Sequence, residues 1–288
     1  MRKLGWTVVR ATAALLTGLF AGLSDKPAIA HELVPPAAVT DMNTALLAMP
    51  VKERETFLAD VAGSTMFVVA QQSSRMLMSQ LNLPVRGEIE TTIDTLTALY
   101  LINSTKTALK ESRTLAIRSA LAITSKPRSQ WPKFFRYQNI NRKRVERILC
   151  LLVGSNPDVF SSLREGTGMS DEQVSSCVRE YEKTEQVWSK ILANHLRKEG
   201  DDTRRMAVSY NKVPRGDEIL VEMLKQSQIL ENAARELDDF YRFPAPVIMR
   251  AASCGEETAY FDPRTRDFLI CYDLILRFAT DHLEQMNR

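Results

Sequence analysis

Between Val51 and Asn82 the chain is apolar enough to predict one or two helices, and from Thr65 to Ala70 it is apolar on nearly every side. A helix of that kind is buried all round. Pro84 stops it, and Pro84-Val85-Arg86-Gly87 makes a short connection. Glu88 to Ile102 follows as a helix, with Ile89, Ile93, Leu96 and Tyr100 at three- and four-residue steps. Ser104 to Thr124 is a further helix, and Lys126 to Arg136, with Trp131-Pro132, is a loop. Asn141 to Val153 is a helix whose basic start, Arg142-Lys143-Arg144, reads as a solvated face. Asn156-Pro157 starts a short helix ended by Gly166, and Ser170 with Gln173 forms a capping box opening a long helix to about Arg197. Its apolar side holds Val174, Cys177, Tyr181, Trp188 and Leu192. The pattern then changes. Met206 to Tyr210 alternates like a strand, and Asp217 to Phe240 is helical. Val247 to Ser253 and Asp267 to Cys271 read as strands of a hairpin around an Asp262-Pro263-Arg264-Thr265 turn, and Cys271 to Met286 closes the chain as a helix. The pattern predicts an α+β fold, mostly helical, with a small antiparallel sheet in the C-terminal half.

Composition adds little to this picture: 44% hydrophobic and 25% charged residues are ordinary for a globular chain of 288 residues. The net charge of +3 comes from residues 1 to 30, where Arg2, Lys3, Arg10 and Lys26 face only Asp25; the remainder carries 34 basic against 34 acidic residues. That balance gives no pull toward nucleic acid or an anionic membrane. Residues 1 to 30 read as a signal peptide: a basic start, an apolar run from Ala11 to Leu23, and Ala28-Ile29-Ala30 as a cleavage pattern. The run is shorter than the ~20 residues a membrane helix needs. The expectation is an exported protein, periplasmic or secreted, whose residues 31 to 288 form a single domain without a membrane span.

Cys150, Cys177, Cys254 and Cys271 are an even set, which in an exported chain favours two disulfides. Three pairings are possible. Sequence proximity favours Cys150 with Cys177 and Cys254 with Cys271, and a hairpin around Asp262-Pro263 would also bring the second pair together. A four-cysteine zinc site would need closer Cys-x-x-Cys spacing.

Candidate chemistry centres on the first two helices. Gln71 and Arg75 are four apart and share a face, as do Glu90 and Asp94 on the next helix. This is the frame of a helical zinc-peptidase site: His at i and i+4, a Glu after the first His, and a carboxylate from the following helix. The stretch resembles the core of a family of exported bacterial proteins classed as metallopeptidases. There, Phe-Val-Leu-Tyr-His-Glu-x-Gly-His-Met-Leu precedes Leu-Pro-Val-x-Gly-x-Glu-Glu-x-x-x-Asp. This chain keeps Phe67-Val68, Met76-Leu77, Leu83-Pro84-Val85, Gly87, Glu90 and Asp94. It departs at Gln71, Gln72 and Arg75, which match the first His, the Glu and the second His. The resemblance extends to Ile148 to Pro157, to Cys177, Glu180, Tyr181 and Trp188, and to Cys254 to Pro263 and Cys271 to Leu274, with Thr258 and Asp273 replacing the family's Asn and Glu.

The resemblance implies a zincin-like central helix and, in the parent family, a zinc cofactor. Here the donors fail: an amide oxygen is a weak ligand, a guanidinium has no lone pair to give, and Gln72 cannot take a proton from water as a Glu would. Glu90 survives as a ligand-like residue and Asp94 as one that would orient a His. No metal or other cofactor is therefore expected, and the first reading is an inactive, metallopeptidase-like protein that binds a peptide or protein in its cleft. A second reading is an active hydrolase with a rearranged site using Glu90, Asp94 and Glu256, Glu257 or Asp273. A third is a structural envelope protein. Either Arg75 replaces the ion and pairs with Glu90 or Asp94, or all of these groups sit on wet helix faces. His195 and His282 read as surface or packed groups, and His31-Glu32 lacks a second His because position 35 is Pro.

Overall fold

The computed structural model describes residues 42–103, 110–201, 203–213 and 216–286. The expected signal peptide, the cleavage pattern and the first residues of the helix expected from Ser104 lie outside the described residues.

The fold is α+β and mostly helical. Helices α1 (Met42–Ala48), α2 (Val51–Gln80), α3 (Ile89–Asn103), α4 (Lys110–Ser125), α5 (Lys133–Tyr137), α6 (Arg142–Ser155), α7 (Ser161–Thr167) and α8 (Asp171–Ala193) precede a second half with strands. That half runs β1 (Met206–Tyr210), α9 (Glu218–Gln226), α10 (Ile229–Phe240), β2 (Val247–Ala252), β3 (Ala259–Asp262), β4 (Asp267–Cys271) and α11 (Tyr272–Met286). Every residue of α2 from Val61 to Ser74 is buried, and the helix packs against α3, α4, α11 and β3. Thr65 answers that burial by donating its hydroxyl to the Val61 carbonyl at 2.9 Å. Arg113 of α4 closes the far end of α3, donating to the carbonyls of Leu101 at 2.9 Å and Ile102 at 3.2 Å.

The sheet is mixed, not antiparallel as expected. Its order is β1-β2-β4-β3, with β1–β2 and β2–β4 parallel and β3–β4 antiparallel. The helices α9 and α10 supply the crossover that parallel β1 and β2 require. The hairpin around Asp262 to Asp267 exists, but β4's hairpin partner is β3, a four-residue strand hidden in a segment that reads as turn. Parallel pairing also decides the second cysteine pair. An antiparallel hairpin of β2 with β4 would set Cys254 beside the start of β4, whereas the register Ala252↔Cys271 brings the two C-terminal ends together. The Cys254–Cys271 bond has an S–S distance of 2.12 Å, and Cys150–Cys177 joins α6 to α8 at 1.92 Å.

Smaller differences have local causes. The expected loop at Lys126 to Arg136 contains α5, begun by Pro132, which buries Phe134 and Phe135. The helix expected over Asp217 to Phe240 breaks at Gln228, in the left-handed region at φ 51°. Asn156 accepts from the Val159 N–H in a turn, α7 starts only at Ser161, and Gly168 at φ 67°, rather than Gly166, caps its end. The Ser170–Gln173 capping box forms in both directions.

Helix α11 seals α2 through His282, whose Nε2 lies 3.2 Å from Ser64 Oγ and whose ring meets Phe57 edge-on at 6.3 Å. Burial holds this imidazole below its usual 6.5; Asp60 and Asp281 oppose that shift and Lys126 adds to it. The folded chain thus resists a proton that the unfolded chain accepts. His282 leaves stability intact above pH 6.5 and removes it as pH falls below that value. Urea midpoints should therefore drop between about pH 7.5 and 5.5, and less steeply for His282→Gln. An unchanged slope in the variant would remove His282 as the cause.

At the α6–α8 crossing, a Cβ on Gly154 would stand 2.2 Å from the Cys177 carbonyl oxygen. Gly154→Ala should cost roughly 1–3 kcal/mol or more. Gly166→Ala meets nothing within 4 Å and should gain up to ~1 kcal/mol. Equal melting temperatures for the two variants would refute the close crossing.

Candidate functional site

The expected frame is formed by the second half of α2 and the first half of α3. Asn82, in the left-handed region at φ 49°, turns the chain out of α2, and Leu83 N–H donates back to the Met78 carbonyl at 2.9 Å. The connection is pinned to α3 by Thr92, whose Oγ1 accepts from Arg86 N–H at 2.9 Å and donates to the Arg86 carbonyl at 3.2 Å. Between the helices, the fully buried Ser74 and Thr97 hydroxyls meet at 3.0 Å.

Asp94 has no exposed surface, and its partners come from α6. Arg144 Nε donates to both carboxylate oxygens at 3.0 Å, Arg144 Nη2 donates to Oδ1 at 2.6 Å, and Arg147 Nη1 donates to Oδ2 at 2.8 Å. Arg144 is fixed further by donating from Nη1 to the Gln138 carbonyl at 2.7 Å. The expectation that Arg142-Lys143-Arg144 is a solvated face holds for Arg142 and Lys143, which are exposed, and is corrected at Arg144, whose side chain is only 6% exposed. A signal for it was present. Arginine in the first turn of a helix opposes the helix dipole, so its presence asks for a carboxylate elsewhere in the fold.

Arg75 does not pair with Asp94, and no direct ion pair within 4.0 Å joins it to Glu90. It lies close enough to both carboxylates to feel them. Its guanidinium is pulled below the usual arginine range chiefly by burial, then by repulsion from Arg144, while Glu90 and Asp94 push the other way. Its Nε is buried without a hydrogen-bond partner. Nor are the motif residues on wet faces. Gln71 and Gln72 are buried; both amide atoms of Gln71, Gln72 Nε2 and Ser73 Oγ have no partner among the described residues. Gln72 Oε1 is used: it accepts the Phe261 N–H at 3.0 Å, tying the edge strand β3 to α2. Glu90, half-buried in the first turn of α3, is the nearest carboxylate left outside the Asp94 pair.

This donor set does not fit zinc. The positions that would coordinate it offer one amide, one guanidinium and one carboxylate, and the fixed cation at Arg75 repels an ion. Among the described residues no group of three or more His, Cys, Asp or Glu is placed to hold a metal. The acids of the C-terminal block have other tasks. Asp273 Oδ2 accepts from the N–H groups of Cys254 at 3.0 Å and Gly255 at 3.1 Å. Glu257 Oε2 accepts from Lys133 N–H at 3.2 Å at the start of α5, and Glu256 is exposed. His195 lines a cavity beyond the end of α2, and His282 packs from α11 against Ser64 in the first half of α2, so neither joins the frame.

The two charges on the frame should respond oppositely to removal. Asp94→Asn leaves two arginines facing a neutral amide and should cost about 3–5 kcal/mol. Arg75→Met removes a desolvated cation without an ion pair and should be neutral or stabilising by roughly 1 kcal/mol. Chemical denaturation of both variants checks this, and a large loss in Arg75→Met would reveal a partner for it.

A family profile described as "Putative metallopeptidase" matches residues 30–192 and 212–288. No curated protein and no solved structure matches the chain. With the match covering most of its length, from the helical half through the C-terminal block, the chain belongs to this metallopeptidase-like family, in a form whose zinc-motif positions hold Gln71, Gln72 and Arg75.

Proposed function

We propose that the protein has given up zinc-dependent hydrolysis and uses its metallopeptidase frame to bind a peptide or protein partner. The observation that carries this reading is Arg75. A guanidinium stands at a ligand position, largely desolvated and without an ion pair, beside a buried Gln71 whose amide is unmatched. Such groups cost stability, and a cost of that kind is retained where a site needs free hydrogen-bonding capacity. The amide of Gln72, at the place of a general base, has its oxygen turned to the backbone of β3, which removes it from any role in activating water. We also read the protein as exported, periplasmic or secreted. Two cysteine pairs at bonding distance support that reading, and no helix among the described residues is long and apolar enough to cross a membrane.

The test uses protein purified from its native compartment. Sequencing should find His31 at the N-terminus, metal analysis should find no stoichiometric zinc, and an unfolded protein substrate should survive. The triple variant Gln71→His, Gln72→Glu, Arg75→His should gain zinc, because Glu90 is still in place. On a peptide array, binding by the native chain should be lost in Arg75→Ala. One zinc per native chain with chelator-sensitive cleavage would overturn the proposal.

A further inference from the structure

A second site lies outside the family frame. A cavity of about 500 Å³ opens where the end of α2 meets the segment after α8 and the segment after α10. Its walls are fixed by a buried carboxylate. Asp238 accepts from Arg197 Nη2 at 2.9 Å and from the backbone N–H groups of Arg205 at 3.0 Å and Met206 at 3.4 Å. Arg197 also donates to the carbonyls of Asp238 at 2.6 Å, Asp201 at 2.8 Å and Thr203 at 2.7 Å. Backbone bonds from Arg197 N–H to Phe240 O and from Arg242 N–H to His195 O, each 2.9 Å, lace the two walls together.

The charges lining this cavity do not cancel. Asp201, the one carboxylate among the described lining residues, already accepts from Arg197 at 3.3 Å and Thr203 N–H at 3.2 Å. Arg197 is spent on that network. Arg205 and Arg242 also line the cavity, and neither side chain has a hydrogen bond or ion pair to any described residue. His195 adds a third nitrogen group. Carbonyls at a helix end disfavour an anion; at the end of α2, those of Leu77, Met78 and Ser79 are capped by the N–H groups of Leu81, Leu83 and Asn82. Two guanidinium forks on one cavity repel until an anion lies between them, and each matches the paired oxygens of a phosphate or carboxylate. His195, Arg197, Asp201, Thr203 and Arg205 all fall within residues 193–211, between the two segments that the family profile matches. Arg242 lies within the matched segment 212–288, so the clamp joins a residue inside the match to one outside it. The site uses none of Gln71, Arg75, Glu90 and Asp94, and it stands apart from the reading of Arg75.

We propose that this cavity binds a small dianion, a phosphate compound or a dicarboxylate, clamped between Arg205 and Arg242. Calorimetric titration of the full protein at constant ionic strength tests it, with inorganic phosphate in one arm and succinate in the other. At least one arm should saturate at one per chain, and the stronger names the ligand class. Affinity should fall about tenfold or more in Arg205→Gln and in Arg242→Gln. Arg264→Gln, altering a side chain 89% exposed on the β3–β4 turn, should bind as the native protein does. Because neither clamp side chain holds the fold together, both variants should melt with the native chain, and Arg205→Lys should recover part of the affinity. Absence of saturation in both arms, or native affinity in the two glutamine variants, would overturn the proposal.

Discussion

Every residue of α2 from Val61 to Ser74 is shut off from solvent, so each polar group it carries must find its partner inside the protein. Thr65 and Ser74 manage this through carbonyls one turn back, and Ser74 reaches Thr97 as well. Gln72 reaches Phe261 on β3. The neighbours of α2 are therefore placed by what it cannot satisfy alone. It fails at both amide atoms of Gln71, at Gln72 Nε2, at Ser73 Oγ and at Arg75 Nε, and Gln71 and Arg75 occupy the face where the family's frame would hold its metal. The unmet capacity is concentrated at one place on a helix that is elsewhere well provided for.

Charge on the frame follows a related logic. A buried carboxylate needs a cation, and without an ion the cation standing at a ligand position of the frame is Arg75. The structure instead brings Arg144 and Arg147 from the start of α6 to Asp94. Arg144 then repels Arg75, and three guanidinium groups face the two carboxylates of Glu90 and Asp94. The excess is one positive charge, and it resides on the residue without an ion pair. Under the proposed binding role, that excess charge suits a partner that offers oxygen atoms, such as a peptide carbonyl or carboxylate.

Much of this was legible in the sequence, for physical reasons. The α2–α3 frame was readable because Pro84 and helical spacing are local signals, and the capping box at Ser170 is equally local. What was missed depends on contacts distant in the chain. Arg144 looks like one charge in a basic run until α6 is laid against α3. Four-residue β3 is too short for its alternation to register, and without it β4 reads as the hairpin partner of β2. The α9–α10 crossover makes β1 and β2 parallel, and the return through β3 makes β4 parallel to β2; no property of any one strand announces either. The cavity at Arg205 and Arg242 draws on three separated segments, so single-residue reading left His195 as a surface group.

The C-terminal block also weighs between the two catalytic readings. Its acids could have rebuilt a hydrolytic site around Glu90. Yet Asp273 spends one oxygen on two backbone N–H groups beside the Cys254–Cys271 bond. Glu257 holds the start of α5 through both its side chain and its carbonyl, which accepts the Phe134 N–H at 2.9 Å. That helix in turn stacks Phe135 on Phe67 of α2, with ring centres 5.7 Å apart. A continuous run of contacts therefore leads from the disulfide through the acidic loop to the central helix. Oxygens committed to backbone N–H groups are already engaged in holding the chain. Of the acids a rearranged hydrolase would draw on, Asp273 holds the backbone at Cys254 and Gly255 and Glu257 holds the start of α5 against the central helix, so both carry structural tasks in the fold.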